Sequence, residues 1–339
     1  MPHTLRDLGE RHILQYVIPE YCDHVGDDCA TLSVPSADVI VTTDPVPVPA
    51  AEIIGGDSDP YWLGWLLVII NASDLAAAGA TPLGFVSALE LQPDCSLPFL
   101  RRILLGTREA CQAEGLKYVG GNLREGNRIS AVGTAIGRSA PGQGVSRRGA
   151  KPGDILVSIG AGGIFWRDTL SILRGNTLPD KKRSPLFAPR SQLQVTPQLA
   201  QRHLLRAAID NSDGLLPSLV QLAGASSLGI TVELNNLSVP GSTELGVDPA
   251  RLWLGWGDWN VLAAVSPEHL DEVLRFGATV DAQIIRIGTF HCHPTGVFLR
   301  RRQTRPAPRL ESERFAADSW FSEGIQGYID RLLSAEIPE

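Results

Sequence analysis

Apolar positions fall into two rhythms that alternate along the first half of the chain. Leu5, Leu8, Ile13, Leu14 and Val17 recur at near-helical spacing and predict a short amphipathic helix over residues 4–18. Residues 39–43 are a β-rich run that ends at Asp44, and Pro45 stops it. Pro45, Pro47 and Pro49 make the next segment stiff and extended. Asp59 and Pro60 read as an N-cap and first helical residue, opening a mostly apolar helix to about residue 79. Residues 85–91 predict a strand. Ser96 then caps a helix to about Glu114, and Gly115 ends it at the C′ position. Tyr118-Val119 leads into Gly120-Gly121-Asn122, read as a strand end opening into a glycine turn, and residues 129–137 predict another strand. Strand, helix, strand, helix, strand is an α/β order.

The second half begins with a joint at 147–154 and a strand at 155–159 that runs into Gly160-Ala161-Gly162-Gly163. Residues 176–194, rich in Pro, Lys, Arg and Ser, read as a loop with room to move. A helix is expected over 196–207. Ile209-Asp210-Asn211-Ser212-Asp213-Gly214 reads as a turn feeding a helix over 215–223, capped by Ser212 or Asp213. Further strands are expected at 229–234, 260–265, 283–290 and 296–299, with a helix opened by Ser266-Pro267. No internal repeat is visible.

Composition narrows the class. The 339 residues suggest about two domains, and 43% hydrophobic with 20% charged residues allows a sizeable core. A net charge of −7 argues against general nucleic-acid binding. No apolar run reaches the length that spans a bilayer, so no membrane partner is expected. The N-terminus lacks an export pattern, and five scattered cysteines without C-x-x-C spacing fit reduced thiols, so a cytoplasmic location is expected.

The chemistry concentrates in acids. Asp27 and Asp28, Asp44, and Asp74 each stand where a core element begins or ends, and Asp210 sits similarly. Singly, such residues are turn formers or caps. Gathered carboxylates repel and raise each other's pKa unless a cation lies between them. Oxygen ligands of this kind suit Mg2+ held together with a nucleotide's phosphates. Asn71 and Asp74 lie one turn apart on one helix face. The glycine segments 120–122 and 160–163 could bring backbone N–H groups to phosphate oxygens, or simply make turns. There is no P-loop and no dinucleotide fingerprint, so ATP use requires another fold. Arg147, Arg148 and Lys151 are candidate phosphate contacts or solvated linker charges, and Arg300-Arg301-Arg302 reads as decoration of an exposed hairpin. His291-Cys292-His293 lacks further ligands nearby for a structural zinc.

Gly26-Asp27-Asp28-Cys29-Ala30, Thr42-Thr43-Asp44, the block from Asn71 through Ser73-Asp74-Leu75 to Thr81-Pro82, Gly120-Gly121-Asn122, Arg148 through Lys151-Pro152-Gly153-Asp154, and Ile209 through Gly214 occur in that order. This series resembles the thiamine-monophosphate kinase family of the aminoimidazole-ribonucleotide synthetase-like superfamily, over nearly the whole chain. The resemblance implies a two-domain α/β (α+β) fold. Residues 1–148 would form a mixed sheet that closes a barrel across a homodimer, and 149–339 an α/β sandwich completing the cleft. It implies Mg2+ and ATP, with Asp27, Asp44, Asp74 and Asp210 as metal ligands. Asp28, Thr43, Gly120, Gly121 and Asn122 would support the nucleotide, Arg148 would contact phosphate, and Asp210, Asp213 and Arg148 would serve the reaction. The reaction implied is transfer of the terminal phosphoryl of ATP to thiamine phosphate. A different acceptor, such as an amide or carboxylate, and a non-catalytic nucleotide-binding homologue are the alternatives.

The chain departs from the family pattern at four places. Pro45–Ala50 carries no His or aromatic, and Leu66 stands where the family has Lys. Gly162-Gly163-Ile164-Phe165-Trp166 replaces a Gly-Asp-Ser element, and Gly255-Trp256-Gly257-Asp258-Trp259-Asn260 replaces Gly-Gly-Glu-Asp-Tyr-Glu. Trp256 and Trp259 read either as buried core aromatics or as a stacking surface for a flat or cationic ring.

Overall fold

The computed structural model describes residues 27–178, 180–310 and 320–339, with His12, Gln15 and Tyr16. The helix expected over 4–18, and Gly26, lie outside the described residues.

A long helix, α2 (Pro60–Ala77), lies at the centre. Asp59 accepts a hydrogen bond from Tyr61 N at 2.9 Å and Pro60 occupies the first turn, as the N-cap reading expects. Its side chains are buried on nearly every face, because Trp62, Leu67, Val68, Ile69, Leu75 and Ala76 leave no polar stripe. Such a helix is stable only when covered all round. Helix α1 (Ala50–Ile53) precedes it, and α3 (Leu97–Glu114) packs along it. Ser96 and Gly115 (φ 75°) cap α3 as expected. The two axes come close because Gly64 and Gly106 face each other's helix. A Cβ on Gly64 would stand 2.0 Å from Ile103 O, and one on Gly106 would stand 2.0 Å from Tyr61 O.

The first sheet has the order β1-β2-β5-β3-β4, with β1 (Ala30–Val34), β2 (Ala37–Pro45), β3 (Thr81–Leu91), β4 (Lys117–Glu125) and β5 (Ser130–Ser139). Neighbours are antiparallel except β3 and β4, which run parallel because α3 makes the crossover. The second sheet has the order β12-β11-β8-β10-β6-β9-β7. Its strands are β6 (Ile155–Ile159), β7 (Ala207–Asp210), β8 (Gly229–Glu233), β9 (Val261–Val265), β10 (Ile284–His291), β11 (Gly296–Arg300) and β12 (Thr304–Pro306). Helix α2 touches β2 and β5 of the first sheet and β7 and β9 of the second, so it is the shared wall of the two halves. The outer helices are α4 (Ile164–Leu173), α5 (Thr196–Gln201), α6 (Leu215–Ser226), α7 (Pro249–Leu254), α8 (Leu270–Thr279) and α9 (Trp320–Ser334).

Several expectations change. Gly120-Gly121-Asn122 is not a turn: it lies inside β4, where Gly121 pairs with Ser87. A Cβ on Gly121 would stand 1.8 Å from Ser87 O, so this glycine serves strand-to-strand approach. The helix expected over 196–207 stops at Gln201, and 207–210 is strand β7. The loop at 176–194 is not loose. Phe187 packs on Trp62 at 5.6 Å, Trp65 Nε1 donates to Pro189 O at 2.8 Å, and Ser191 donates to buried Glu114 at 2.5 Å. This strap laces the second half onto α2 and α3. Gly106→Ala is expected to lose about 2 kcal/mol of stability, since overpacking against backbone outweighs the better helix propensity. Thermal unfolding checks it, and an unchanged or raised melting temperature would contradict the close packing.

Candidate functional site

Asp28, Asp74 and Asp210 come from three separate places and meet. One carboxylate oxygen of each lies within 4.8 Å of the others. Asp28 stands just before β1, Asp74 near the end of α2, and Asp210 at the end of β7. Each half of the fold supplies part of the set, which α2 joins.

Hydroxyl groups hold two of the acids. Thr42 Oγ1 donates to Asp74 Oδ2 at 2.6 Å. Ser73 Oγ donates to Asp210 Oδ2 at 2.9 Å, and Ser212 Oγ to Asp210 Oδ1 at 3.0 Å. Asn71 Oδ1 accepts from Asp44 N at 3.1 Å, so the helix face that carries Asp74 also fixes the end of β2. Arg147 guards Asp28: Nη2 lies 2.6 Å from Asp28 Oδ1, and Nη1 lies 2.9 Å from Gln221 Oε1 on α6.

The electrostatics follow from burial. Burial pushes Asp74 well above the usual carboxylate range, and the charges of Asp210, Asp44 and Asp28 push it further. Burial and the charge of Asp28 raise Asp210 to about 7, against the bond from Ser73. Asp28 is raised by burial and held back by Arg147. The neighbouring Cys29 thiol is also pushed up, by burial and by the acids. Three half-buried or buried oxygen donors with excess negative charge suit a hard divalent cation.

The expected site residues divide. Asp74 and Asp210 join the cluster. Asp44 and Asp213 stand near enough for their charges to act on Asp74 and on Asp28 and Asp210, respectively. Asp27 does not join it; Asp28 does. Asp27 Oδ1 instead accepts from Ser146 Oγ at 3.0 Å and Arg147 N at 2.8 Å, which ties the acid turn to the joint between the halves. Thr43 turns away from the acids, because alternate residues of a strand face opposite sides. Its hydroxyl donates to Gly133 O at 2.9 Å, and Thr42 supports Asp74 in its place. Arg148 is exposed, whereas Arg147 pairs with Asp28 of the acid cluster. Gly121 lies in one cross-strand row with Ser87, Gly133 and Asp44. Three strand spacings of about 4.8 Å put it roughly 14 Å from Asp44 within the chain. Neither Ser212 nor Asp213 is the N-cap of α6: Gly214 holds that position without a side-chain cap.

A family model described as AIR synthase related protein, N-terminal domain, matches residues 26–139, and its C-terminal-domain counterpart matches 151–291. The thiamine-monophosphate kinase of Methanospirillum hungatei is 30% identical over 265 residues, 78% of this chain and 88% of that protein. The chain belongs to the thiamine-monophosphate kinase family. The structure of tt0281 from Thermus thermophilus is 28% identical, with TM-score 0.79, covering 90% of this chain and 100% of that one. AaThiL complexed with AMPPCP and TMP shares the fold at 22% identity and TM-score 0.75, covering 88% of this chain and 96% of that one.

Two of the chain's departures from the thiamine-monophosphate kinase family pattern prove to be one unit. Asp258 accepts from Gly163 N at 2.5 Å and Phe165 N at 2.8 Å, and so caps α4 with its own carboxylate. The glycine segment 160–163 therefore does not present a free helix N-terminus to phosphate. Trp256 packs 4.9 Å from Phe165, 5.4 Å from Trp166 and 6.2 Å from Tyr328, so the core-aromatic reading fits it. A Cβ on Gly257 would stand 2.6 Å from Phe165. Phe165 fills the room an acid at position 257 would need.

Acids that hold protons in the fold at a pH where the unfolded chain has lost them make stability fall as pH rises. For Asp210 that window runs from about 4, the ordinary carboxylate value, to about 7. Metal ligands must shed those protons, so cation binding strengthens with pH. Without metal, Asp74→Asn is therefore expected to raise the melting temperature more at pH 7.5 than at pH 5. Magnesium is expected to stabilise the native chain and not the variant. Equal effects at both pH values would contradict the coupling.

Proposed function

We propose that this chain is a Mg2+-dependent kinase that transfers the terminal phosphoryl group of ATP to the phosphate of thiamine monophosphate, giving thiamine diphosphate and ADP. The observation that carries the reading is the meeting of Asp28, Asp74 and Asp210 within 4.8 Å in a chain of this family. The donor set fits Mg2+: it is all oxygen, anionic and contributed by both halves of the fold. Bound there, the metal would neutralise charge on the phosphates.

Asp28, Asp74 and Asp210 are assigned as ligands, with Asp44 and Asp213 as flanking acids that complete the set once nucleotide is present. Arg147, already beside Asp28, is assigned to the transferred phosphoryl group, where a guanidinium offsets charge spread over the equatorial oxygens. Arg148, exposed on the same joint, is a secondary phosphate contact. One P–O bond forms to an oxygen of the acceptor phosphate and one breaks to ADP. No side chain becomes covalently attached, so the chain contributes position and charge.

Leu32 and Val34 on β1, with Val119 and Leu123 on β4, are exposed apolar residues on the two edge strands of the first sheet. They support a homodimer that covers those edges. Cys29, Cys95, Cys111 and Cys292 are free thiols, in keeping with a reducing cytoplasm. Among the described residues, no helix is long and apolar enough to cross a membrane.

The aromatic block of Phe165, Trp166, Trp256 and Tyr328 favours a second reading, in which the same phosphoryl transfer serves another acceptor. An assay of ADP release against an acceptor panel that includes thiamine monophosphate separates the two. Turnover with thiamine monophosphate is expected, falling at least about a hundredfold in Asp44→Asn and in Asp74→Asn, with both variants still folding cooperatively. Turnover with another acceptor alone supports the second reading, and unchanged turnover in both variants contradicts the assignment of the acids.

A further inference from the structure

Asp210 sits at the very end of a short strand. Strand β7 has only four residues at the edge of the second sheet; it pairs with β9 on one side, and on the other Ala208 N donates to Ser146 O. Asp210 pairs with Val261, the first residue of β9. Beyond that pair the chain turns away through Asn211, Ser212 and Asp213, of which Ser212 bonds Asp210 and Asp213 acts on it by its charge. Something must keep the end of an edge strand from fraying if Asp210 is to stay in place.

A buried chain of side-chain hydrogen bonds does so. Asn211 Nδ2 donates to Asn260 Oδ1 at 2.9 Å, Asn260 Nδ2 donates to Ser158 Oγ at 2.7 Å, and Ser158 Oγ donates to Gly160 O at 2.8 Å. Asn211 N also donates to Asn260 O at 2.9 Å, extending the ladder by one residue. Asn211, Ser158 and Asn260 are fully buried. The direction of the chain is fixed from its far end. A backbone carbonyl can only accept, so Ser158 gives it a proton and takes one from the amide of Asn260. The carbonyl of Asn260 must then face Asn211. The Asn260 amide accepts on one side and donates on the other, as this direction requires.

The arrangement has a cost. Asn211 Oδ1 is buried without a hydrogen-bond partner among the described residues. A lone buried acceptor has given up its hydrogen bond to water without a replacement. Trp259, just before Asn260, is held at φ 57° in the left-handed region, which L side chains avoid. Strain and an unpaired atom beside a carboxylate cluster mark residues kept for placement rather than for stability.

We infer that Asn260 is a positioning residue, which through Asn211 holds the turn bearing Asp210 in the geometry that binds a divalent cation. The inference rests on the reading of Asp28, Asp74 and Asp210 as a cation site. Manganese(II) alone, titrated into the full chain with free Mn2+ followed by electron paramagnetic resonance, tests it. The native chain is expected to bind. Asn211→Ala and Asn260→Ala should each weaken binding about tenfold, the scale of one buried hydrogen bond. The double variant should also lose about tenfold rather than a hundredfold, because both changes break the same bond. Affinities within twofold of native, or losses that multiply in the double variant, would overturn the inference. If Asn260→Ala does not fold, Ser158→Ala removes only the far hydroxyl and should weaken binding about threefold; unchanged affinity there overturns it equally. A native chain that binds no Mn2+ removes the cation reading together with the inference, whereas a failure confined to the variants removes the inference alone.

Discussion

The centre of this molecule is constrained by the repulsion of three carboxylates brought within 4.8 Å of one another. Asp28, Asp74 and Asp210 lie closer together than water would allow at no cost, and burial makes their charge more expensive. The fold tolerates them because each is held from a different direction. Arg147 faces Asp28, Thr42 holds Asp74, and Ser73 and Ser212 hold Asp210. Helix α2 is what makes the meeting possible. It carries Asp74 toward one partner and Ser73 toward another, and its apolar surface is covered by both sheets and α3. The strap at 176–194 then closes the second half over α2 through Phe187, Pro189 and Ser191.

Much of this was legible in the sequence where the signal is local. Asp59-Pro60 and Ser96 with Gly115 marked both long helices of the first half, since caps lie next to what they cap. The ordered acids gave the family, and three of them, Asp28, Asp74 and Asp210, meet in the fold. What failed was decided at a distance. The capping carboxylate of α4 comes from Asp258, 95 residues downstream, so the glycines before α4 read as a turn or a phosphate loop. The choice of Asp28 over Asp27, Thr42 over Thr43 and Arg147 over Arg148 is in each case a slip of one residue. Such slips follow from side-chain direction, which a motif does not carry until register and partners are known. Strand β1 does alternate apolar and polar residues over Ala30–Val34, but the run is short and, exposed along its length beside β2, has no buried face to set it apart from a loop.

The departures from the family pattern are not scattered losses. Phe165 and Trp166 on α4 fill the space beside Gly255 and Gly257, Trp166 Nε1 donates to Trp256 O at 2.7 Å, and Asp258 caps α4. An acid restored at 257 alone would strike Phe165. The two segments therefore belong together, and the block they form abuts the acid-bearing turn: a Cβ on Gly214 would stand 3.2 Å from Trp256 N. The acid-bearing side thus keeps the acids of the motif series while the wall beside it has been rebuilt in aromatic residues.

The central claim is that folding gathers these acids to hold a divalent cation against a nucleotide's phosphates. Anomalous diffraction from crystals grown with AMPPCP and Mn2+ tests it most directly. The account predicts a manganese peak bonded to oxygens of Asp28, Asp74 and Asp210 at about 2.0–2.3 Å, with the phosphates on its far side. A nucleotide bound elsewhere, with these three carboxylates left without metal, would contradict it.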